Sequence, residues 1–404
     1  MRTFNIVLVF VTFLVFQAKA EFLNISENPD SIIIAAIERI DQDSMYSNVE
    51  SLQNMGTRFM LAPNRKQVAT WIMNKFLSYG FTEVQLDSFA SNTNFLHDTT
   101  TWQYNVEARI TGTEFPDQEM IMIGHYDDYA GNADPFFQAP GADDNASGTT
   151  ATLECARVIK EMNYQPRQTM IFLASAAEEL MGFGLSGTEY YANQAELAGR
   201  NIVMALNNDM IGWDDGTWTI QVINNNNSAD LTALAISVIA NYTTLNYESV
   251  NPGQFIGGDI QPFLDAGYKG VYFMEHFINP NYHTIADSVE YLSFEYLAQA
   301  TGISLGCLLH SDITVNAKEY SDKVSELLIS PNPASDYIMI HSANHVTNPC
   351  LKIYSIDGTV KIERNIIDPT TPINISVLSP GMYLVALYSN TYIQYSRFIV
   401  TKSF

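Results

Sequence analysis

The sequence predicts an α/β domain with a mostly parallel, mixed sheet flanked by helices, followed by a small all-β sandwich. The first observation is that apolar strand-like runs alternate with helix-like segments over most of the 404 residues. This spacing is typical of sheets covered by helices on both faces. The second is that runs such as 119–124 and 169–175 are nearly all apolar, as strands buried on both faces require. The third is a change, after about residue 327, to short alternating strands separated by turns.

The elements of the α/β part can be predicted in order. Segments 30–40 and 63–79 have helical periodicity, and Pro63 stands near the start of the second helix. Residues 81–87 and 104–110 alternate between apolar and polar side chains, which predicts two strands. The remaining predicted elements are strand 119–124, helix 146–162, strands 169–175 and 201–208, helix 230–241, strand 270–274 and helix 293–310.

The C-terminal part begins after a polar segment, 315–326, which predicts a linker. We therefore expect one domain over 21–314 and a second over 327–404. The predicted strands of the second domain are 337–340, 351–354, 373–377, 382–388 and 392–400. The predicted turns between them are Asp357-Gly358, Asp368-Pro369 and Pro380-Gly381.

Residues 1–20 have the three parts of an export signal. Arg2 supplies the positive charge, residues 6–16 the apolar core, and Ala18-Lys19-Ala20 the cleavage site. The apolar run is shorter than the ~18 residues needed to cross a bilayer. No later segment is long and apolar enough to do so. We therefore expect a protein exported through the periplasm, secreted or held at the cell surface, without stable membrane insertion.

Charge and cysteine content exclude some functions. The formal net charge of −24 disfavours nucleic acid and anionic membrane surfaces as partners. The three cysteines are an odd number and have no metal-knuckle spacing. Cys155 and Cys307 stand in helix-like apolar stretches, where buried cysteine acts as a small hydrophobe. We therefore expect these two residues to be core thiols rather than a disulfide.

Side chains that can bind metal follow the predicted strands. The strand 119–124 ends at His125, and Gly141–Gly148, with Asp143-Asp144, precedes the next helix. In an open α/β sheet, ligands gather at the carboxyl ends of the strands. The residues expected to converge there are His125, Asp144, Glu179, Asp209 and His283. Asp127, two residues after His125, is placed to orient a metal-binding imidazole.

The order of these motifs resembles the co-catalytic zinc exopeptidases of the bacterial leucyl aminopeptidase type. The motifs are His-x-Asp, Gly-Ala-Asp-Asp-Asn, Glu-Glu, Asn-Asp and His-Thr. The resemblance covers about residues 50–310 and includes Gly56-Thr57-Arg58 near its start. It implies the zinc exopeptidase fold, two Zn²⁺ ions per chain, and the N-termini of peptides or proteins as substrates.

The resemblance also implies a role for each site residue. The pair His125 and Asp209 would bind one zinc, and the pair Glu179 and His283 the other. Asp144 would bridge the two ions. The two remaining residues with implied roles are Glu178, as general base, and Asp127, as the partner that orients His125.

Two alternatives remain open. Glutaminyl cyclases resemble these peptidases and share His-Tyr-Asp, Glu-Glu and His-Thr, but they use one zinc to cyclise N-terminal glutamine. The segment Gly141–Gly148 has the peptidase form. A catalytically inactive binding homologue would usually lose a ligand or the base, and this chain keeps all six. Met210 and the aromatic residues near Tyr282 are candidates for an apolar substrate pocket, although core packing explains them equally well.

The second domain resembles the type A sorting domain of the type nine secretion system. Three phrases carry the resemblance, at residues 330–336 (Ser-Pro-Asn-Pro-Ala-Ser-Asp), 353–359 (Ile-Tyr-Ser-Ile-Asp-Gly-Thr) and 378–385 (Leu-Ser-Pro-Gly-Met-Tyr-Leu-Val). The resemblance implies export across the outer membrane of a Gram-negative cell by that secretion machinery. A carbohydrate-binding or adhesive sandwich would have the same strand pattern.

Overall fold

The structure is a computed structural model that describes residues 29–95, 98–179, 181–253, 255–341, 350–355, 359–365, 372–388 and 393–401. The predicted export signal at 1–20 lies outside these residues, as do the predicted turns Asp357-Gly358 and Asp368-Pro369. These three expectations therefore stay predictions.

An eight-stranded mixed sheet organises the larger part of the chain, in the order β1-β2-β4-β3-β5-β8-β6-β7. Its strands are β1 (Glu83–Thr93), β2 (Thr99–Ile110), β3 (Phe115–His125), β4 (Gln168–Ser175), β5 (Asn201–Asn208), β6 (Thr219–Ile223), β7 (Asn246–Val250) and β8 (Gly270–Glu275). The four adjacent strands β4, β3, β5 and β8 all run parallel to one another. Their carboxyl ends therefore lie along one edge of the sheet, and the predicted α/β fold class is confirmed.

The central strands are buried on both faces, as their apolar runs predict. All eight residues of β4 are buried, and so are the last seven of β3. Successive residues of β3 pack into different apolar clusters, with Met120 and Met122 on one face and Ile121 and Ile123 on the other. The carboxyl ends of these strands are consequently held by packing from both sides.

Eight α-helices accompany the sheets in the described part of the chain. They are α1 (Pro29–Ile37), α2 (Gln42–Gln53), α3 (Arg65–Ser78), α4 (Gly148–Glu161), α5 (Gly187–Leu197), α6 (Ala229–Tyr242), α7 (Gln261–Asp265) and α8 (Phe294–Lys323). The sequence predicts α1, α3, α4, α6 and the first half of α8. It misses α2, although the buried positions Met45, Val49 and Leu52 have helical spacing, because polar residues interrupt the apolar stripe.

The segment 315–326, predicted to be a linker, is helical over most of its length. Helix α8 continues to Lys323, and the next three residues form strand β9 (Val324–Glu326). The polar segment contains good helix formers, such as Ala317-Lys318-Glu319, and no proline or glycine. Polar composition is compatible with a helix as well as with an irregular linker.

The C-terminal part is all β, as predicted. Its further strands are β10 (Leu328–Ser330), β11 (Tyr337–His341), β12 (Cys350–Ser355), β13 (Val360–Asn365), β14 (Ile373–Asn374), β15 (Gly381–Tyr388) and β16 (Ile393–Val400). They form a three-stranded and a five-stranded sheet around an apolar cluster of their own. Strand β14 is shorter than the predicted 373–377. The exact domain limits stay a prediction.

Candidate metal centre

The ligand-type residues predicted from sequence converge at the carboxyl ends of the four parallel strands. His125 is the last residue of β3, and Glu178-Glu179 follow β4. Asp209 comes directly after β5. The remaining two residues, Asp144 and His283, reach the same place from the turn before α4 and from the loop after β8.

Asp144 lies between two groups of donor atoms. Its Oδ1 is 3.4 Å from His125 Nε2, and Asp209 Oδ1 lies at the same distance from that nitrogen. Its Oδ2 is 3.1 Å from His283 Nε2, which is 2.7 Å from Glu179 Oε2. The two oxygens of one carboxylate thus face two different sets, each with one imidazole and one further carboxylate.

The donor atoms are arranged to bind metal ions rather than to form hydrogen bonds with one another. In the part of the chain that the structure describes, four buried atoms of the cluster have no hydrogen-bond partner of suitable geometry. They are His125 Nε2, Glu179 Oε1, Asp209 Oδ1 and His283 Nε2. Buried polar atoms are almost always paired, so each exception needs an explanation. Imidazole nitrogen and carboxylate oxygen are the ligands of catalytic zinc sites, and these residues fit that ion.

The main chain of Asp144 is fixed by Asp287, which sequence reasoning missed. The backbone N–H of Asp143 and that of Asp144 donate to the two carboxylate oxygens of Asp287, at 2.9 and 3.0 Å. The N–H of Ala142 donates to the Asp287 carbonyl at 3.2 Å. Since Asp287 stands four residues after His283, it links the loop of one donor group to the bridging residue. That spacing is the only sequence signal for it.

The side chain of Asp143 has different partners from the side chain of Asp144. Its carboxylate accepts a bond from the backbone N–H of Gly212 at 2.9 Å and one from Asn279 Nδ2 at 3.0 Å. Burial and Asp143 itself raise the pKa of the nearby Glu275 to about 12, which keeps that side chain protonated. Asp143 therefore lies in a satisfied hydrogen-bond network, whereas Asp144 faces the unpaired donors.

The carboxylate of Asp127 holds the turn that carries the two glutamates. Its oxygens accept bonds from the backbone N–H groups of Glu178 and Glu179, both at 3.1 Å. His125 Nδ1 is 3.2 Å from the carbonyl oxygen of Asp127 and 3.6 Å from its carboxylate. The sequence predicts that Asp127 orients His125, and here the carbonyl is the nearer group. The contact between the carboxylate and the glutamate turn was not predicted.

Glu178 and Glu179 have different surroundings. The Glu178 side chain is 16% exposed and its Oε2 lies 3.8 Å from His125 Nε2. The Glu179 side chain is 3% exposed and contacts His283. Burial raises the pKa of both carboxyl groups well above the usual range. Glu178 therefore differs from Glu179 chiefly in its access to solvent.

Tyr272 is a second residue that the sequence did not reveal. Its hydroxyl donates to Asp209 Oδ2 at 2.9 Å, so that only Oδ1 of Asp209 faces His125. Burial, followed by the charge of Asp209, raises the pKa of Tyr272 well above its usual value. The hydroxyl consequently remains a donor. The only signal for it in the sequence is one hydroxyl within the apolar strand β8.

Arg58 gives a structural reason for the motif Gly56-Thr57-Arg58. The side chain is buried and donates to three backbone carbonyls, those of Tyr126, Pro140 and Gly141, at 2.7–2.8 Å. It also forms a buried ion pair with Asp128 at 3.1 Å. Arg58 thus forms hydrogen bonds to both ends of the loop that separates His125 from Asp144.

The other residues considered from sequence fall outside the donor cluster. Met210 is buried, whereas Tyr282 is 38% exposed and stacks on His283 with ring centroids 3.7 Å apart. Cys155 and Cys307 are free and buried, as predicted. Within the described residues, no helix is long and apolar enough to cross a membrane.

Known proteins that resemble this chain in sequence or structure include aminopeptidases and a glutaminyl cyclase. The chain is 29% identical to leucine aminopeptidase 1 of Penicillium rubens, over 68% of this chain and 72% of that protein. Its structure is similar to BSAP, a zinc aminopeptidase from Bacillus subtilis, with a TM-score of 0.56, 17% identity, and coverage of 67% of this chain and 95% of that one. It is also similar to Porphyromonas gingivalis glutaminyl cyclase, with a TM-score of 0.56, 18% identity, and coverage of 68% and 99%.

Two families match separate parts of the sequence. Peptidase family M28 matches residues 105–306, which include every residue of the donor cluster. The secretion system C-terminal sorting domain matches residues 328–402, and this implies a secreted or surface location. The chain is therefore a member of peptidase family M28 that carries a C-terminal sorting domain for secretion.

Proposed function

We propose that this protein is a secreted aminopeptidase that holds two zinc ions and removes N-terminal residues from peptides. The observation that carries the proposal is the position of Asp144, whose two oxygens face separate donor groups. In this proposal His125 and Asp209 would hold one zinc ion, Glu179 and His283 would hold the other, and Asp144 would contribute one carboxylate oxygen to each.

Glu178 is the general base of the proposed reaction. Bound zinc ions supply a water of lowered pKa and polarise the carbonyl of the bond to be cleaved. Glu178 accepts the proton of that water and passes it to the leaving amine. Its partial exposure and the 3.8 Å distance from its Oε2 to His125 Nε2 support this role, because the base must reach a water beside the metal ligands.

Three neighbouring residues position these groups. Asp127 fixes the backbone of the Glu178-Glu179 turn, and Asp287 fixes that of Asp144. The Tyr272 hydroxyl donates a hydrogen bond to one carboxylate oxygen of Asp209. Residues that orient metal ligands typically change metal affinity or activity by about 10- to 100-fold when mutated.

Glutaminyl cyclisation is the second candidate, and the likeness to a glutaminyl cyclase chain over almost its whole length supports it. The two reactions differ in zinc content and in substrate. The test is therefore to assay the purified protein on leucinamide, on leucyl peptides and on glutaminyl peptides, with zinc measured after dialysis. Two zinc ions with release of leucine support the proposal. One tightly bound zinc with cyclisation of glutamine and no hydrolysis would refute it, and an inactive protein would be a binding homologue.

We further propose that residues 1–20 direct export to the periplasm and that the sorting domain then engages the type nine secretion machinery of the outer membrane. The match of residues 328–402 to a sorting domain supports the second step. Deleting the sorting domain in the native host should leave the enzyme in the periplasm, as fractionation and immunoblotting would measure. Unchanged secretion would contradict this part of the proposal.

A further inference from the structure

A row of aromatic rings leads from His283 to the protein surface. Tyr129 lies edge-on to His283, with ring centroids 5.2 Å apart. Phe95 is 5.7 Å from Tyr129, and Phe183 is 5.6 Å from Phe95. We call Tyr129, Phe95 and Phe183 the aromatic strip. Its first two members are half-buried, and Phe183 is 52% exposed.

The strip joins three segments that are far apart in sequence. Tyr129 follows β3, Phe95 lies in the turn between β1 and β2, and Phe183 follows the Glu178-Glu179 turn. The backbone N–H of Asn94 donates to the Phe183 carbonyl at 3.3 Å. A Cβ on Gly184 would lie 2.8 Å from the carbonyl oxygen of Asn92, so only glycine allows this approach. Close backbone contact thus holds Phe183 against the end of β1.

The exposure of Phe183 indicates a binding surface rather than core packing. Phe183 belongs to none of the buried apolar clusters of the described residues. An exposed aromatic residue that continues a half-buried row of rings forms an apolar patch, and such patches beside a site commonly bind a partner. Because one end of the row contacts His283, an occupant of the metal centre would extend along it.

We propose that the aromatic strip binds apolar side chains of the substrate on the C-terminal side of the cleaved bond. This inference rests on the proposed aminopeptidase function. The centroid steps of 5.7 and 5.6 Å span roughly three residues of extended peptide at ~3.3 Å each. An aminopeptidase leaves one residue on the N-terminal side of the bond, and a single side chain cannot contact the whole strip. The strip therefore selects peptides of several residues with apolar side chains after the first.

Kinetics with matched substrates test this. The substrates are leucinamide, Leu-Gly-Gly-Gly and Leu-Ala-Phe-Phe, and the variant is Phe183→Ala. We expect kcat/KM for Leu-Ala-Phe-Phe to fall about 10-fold, the effect of losing partial burial of an aromatic side chain. The values for leucinamide and Leu-Gly-Gly-Gly should stay within about 2-fold. Phe183→Tyr, which keeps the ring, should behave like the wild type.

The matched control is Tyr247→Ala. Tyr247 is 45% exposed and lies on β7, at the sheet edge opposite to β1. This variant should leave the ratio between the substrates unchanged. If Phe183→Ala leaves the preference for Leu-Ala-Phe-Phe unchanged, or lowers kcat/KM equally for all three substrates, the inference is wrong.

A binding measurement separates this inference from the proposed function. Calorimetry with Leu-Ala-Phe-Phe compares Glu178→Gln with the double variant Glu178→Gln/Phe183→Ala. We expect about 10-fold weaker binding in the double variant, whether or not the wild type hydrolyses the peptide. Equal affinity, or no binding by either protein, overturns the inference. Failure of the proposed function alone appears as peptide binding without release of leucine.

Discussion

Replacing Tyr272 by phenylalanine removes one hydroxyl and tests how Asp209 is held. The Tyr272 hydroxyl is 2.9 Å from Asp209 Oδ2, and both residues are buried. Phenylalanine fills almost the same volume, so the packing of β8 should be retained. The change leaves Asp209 Oδ2 without its donor and allows the carboxylate to rotate.

The size of the effect follows from that single bond. A hydrogen bond to a charged group contributes ~1.5–3 kcal/mol, which corresponds to roughly 10- to 150-fold in an equilibrium constant. We expect zinc affinity to fall by about 10- to 100-fold. In the proposed two-zinc site, the loss should concern only the ion held by Asp209. Tyr272 contacts Asp209, which lies 3.4 Å from His125, whereas His283 and Glu179 form the other group.

Competition between the protein and a zinc-binding dye measures the zinc affinity of each proposed site. For Tyr272→Phe we expect one weakened step and one unchanged step. The control is Tyr268→Phe, because the half-buried Tyr268 donates to a backbone carbonyl, that of Arg200, at 3.2 Å and contacts no residue of the donor cluster. Two unchanged steps in Tyr272→Phe, or an equal loss in Tyr268→Phe, would refute the reasoning.

Five other changes test the site and the domain that carries it. Glu178→Gln should keep its zinc and lower kcat by about 100- to 10,000-fold, whereas Glu179→Gln should lose zinc from one site. Equal zinc content in the two variants, measured by mass spectrometry, would contradict the assignment of Glu178 as base and Glu179 as ligand. Asp287→Asn should weaken zinc binding by about 10- to 100-fold in dye competition, and unchanged affinity would exclude a positioning role. A chain ending at Lys323 should hydrolyse leucinamide normally, and an insoluble product would show that the β-sandwich completes the catalytic domain. Chelation of zinc should lower Tm and leave the far-ultraviolet circular dichroism nearly unchanged, and loss of helix signal would contradict this.

The sequence predicts that the candidate ligands lie close together, and the structure brings them together, because His125, Glu179 and Asp209 stand at or just after the ends of strongly apolar strands. β3, β4, β5 and β8 are buried on both faces, so their composition marks both the strands and the points where they end. Once the strands are parallel and adjacent, their carboxyl ends meet. The convergence of His125 and Asp209 therefore depends only on correct strand assignment.

The residues that support the donors could not be predicted in the same way. Asp287 and Tyr272 act through contacts between segments distant in sequence: Asp287 bonds to amides more than 140 positions earlier, and Tyr272 to a carboxylate 63 positions earlier. The signals in the sequence, a spacing of four residues after His283 and one hydroxyl in an apolar strand, do not identify the partner of either residue. The helical conformation of 315–323 was not predicted for a different reason, since polar composition does not distinguish a helix from an irregular segment.

The main chain of the donor segments is held by hydrogen bonds that do not use the donor atoms. Carboxylates outside the donor set accept bonds from the backbone of the donor segments, as Asp287 does at Asp144 and Asp127 does at the glutamate turn. Arg58 in turn holds the carbonyls of the loop that ends before Asp144. Because these bonds fix the main chain and use none of the unpaired donor atoms, metal binding needs little refolding of the backbone. Buried carboxylates that face one another without a cation are costly. Loss of zinc should therefore appear as lower stability of an unchanged fold.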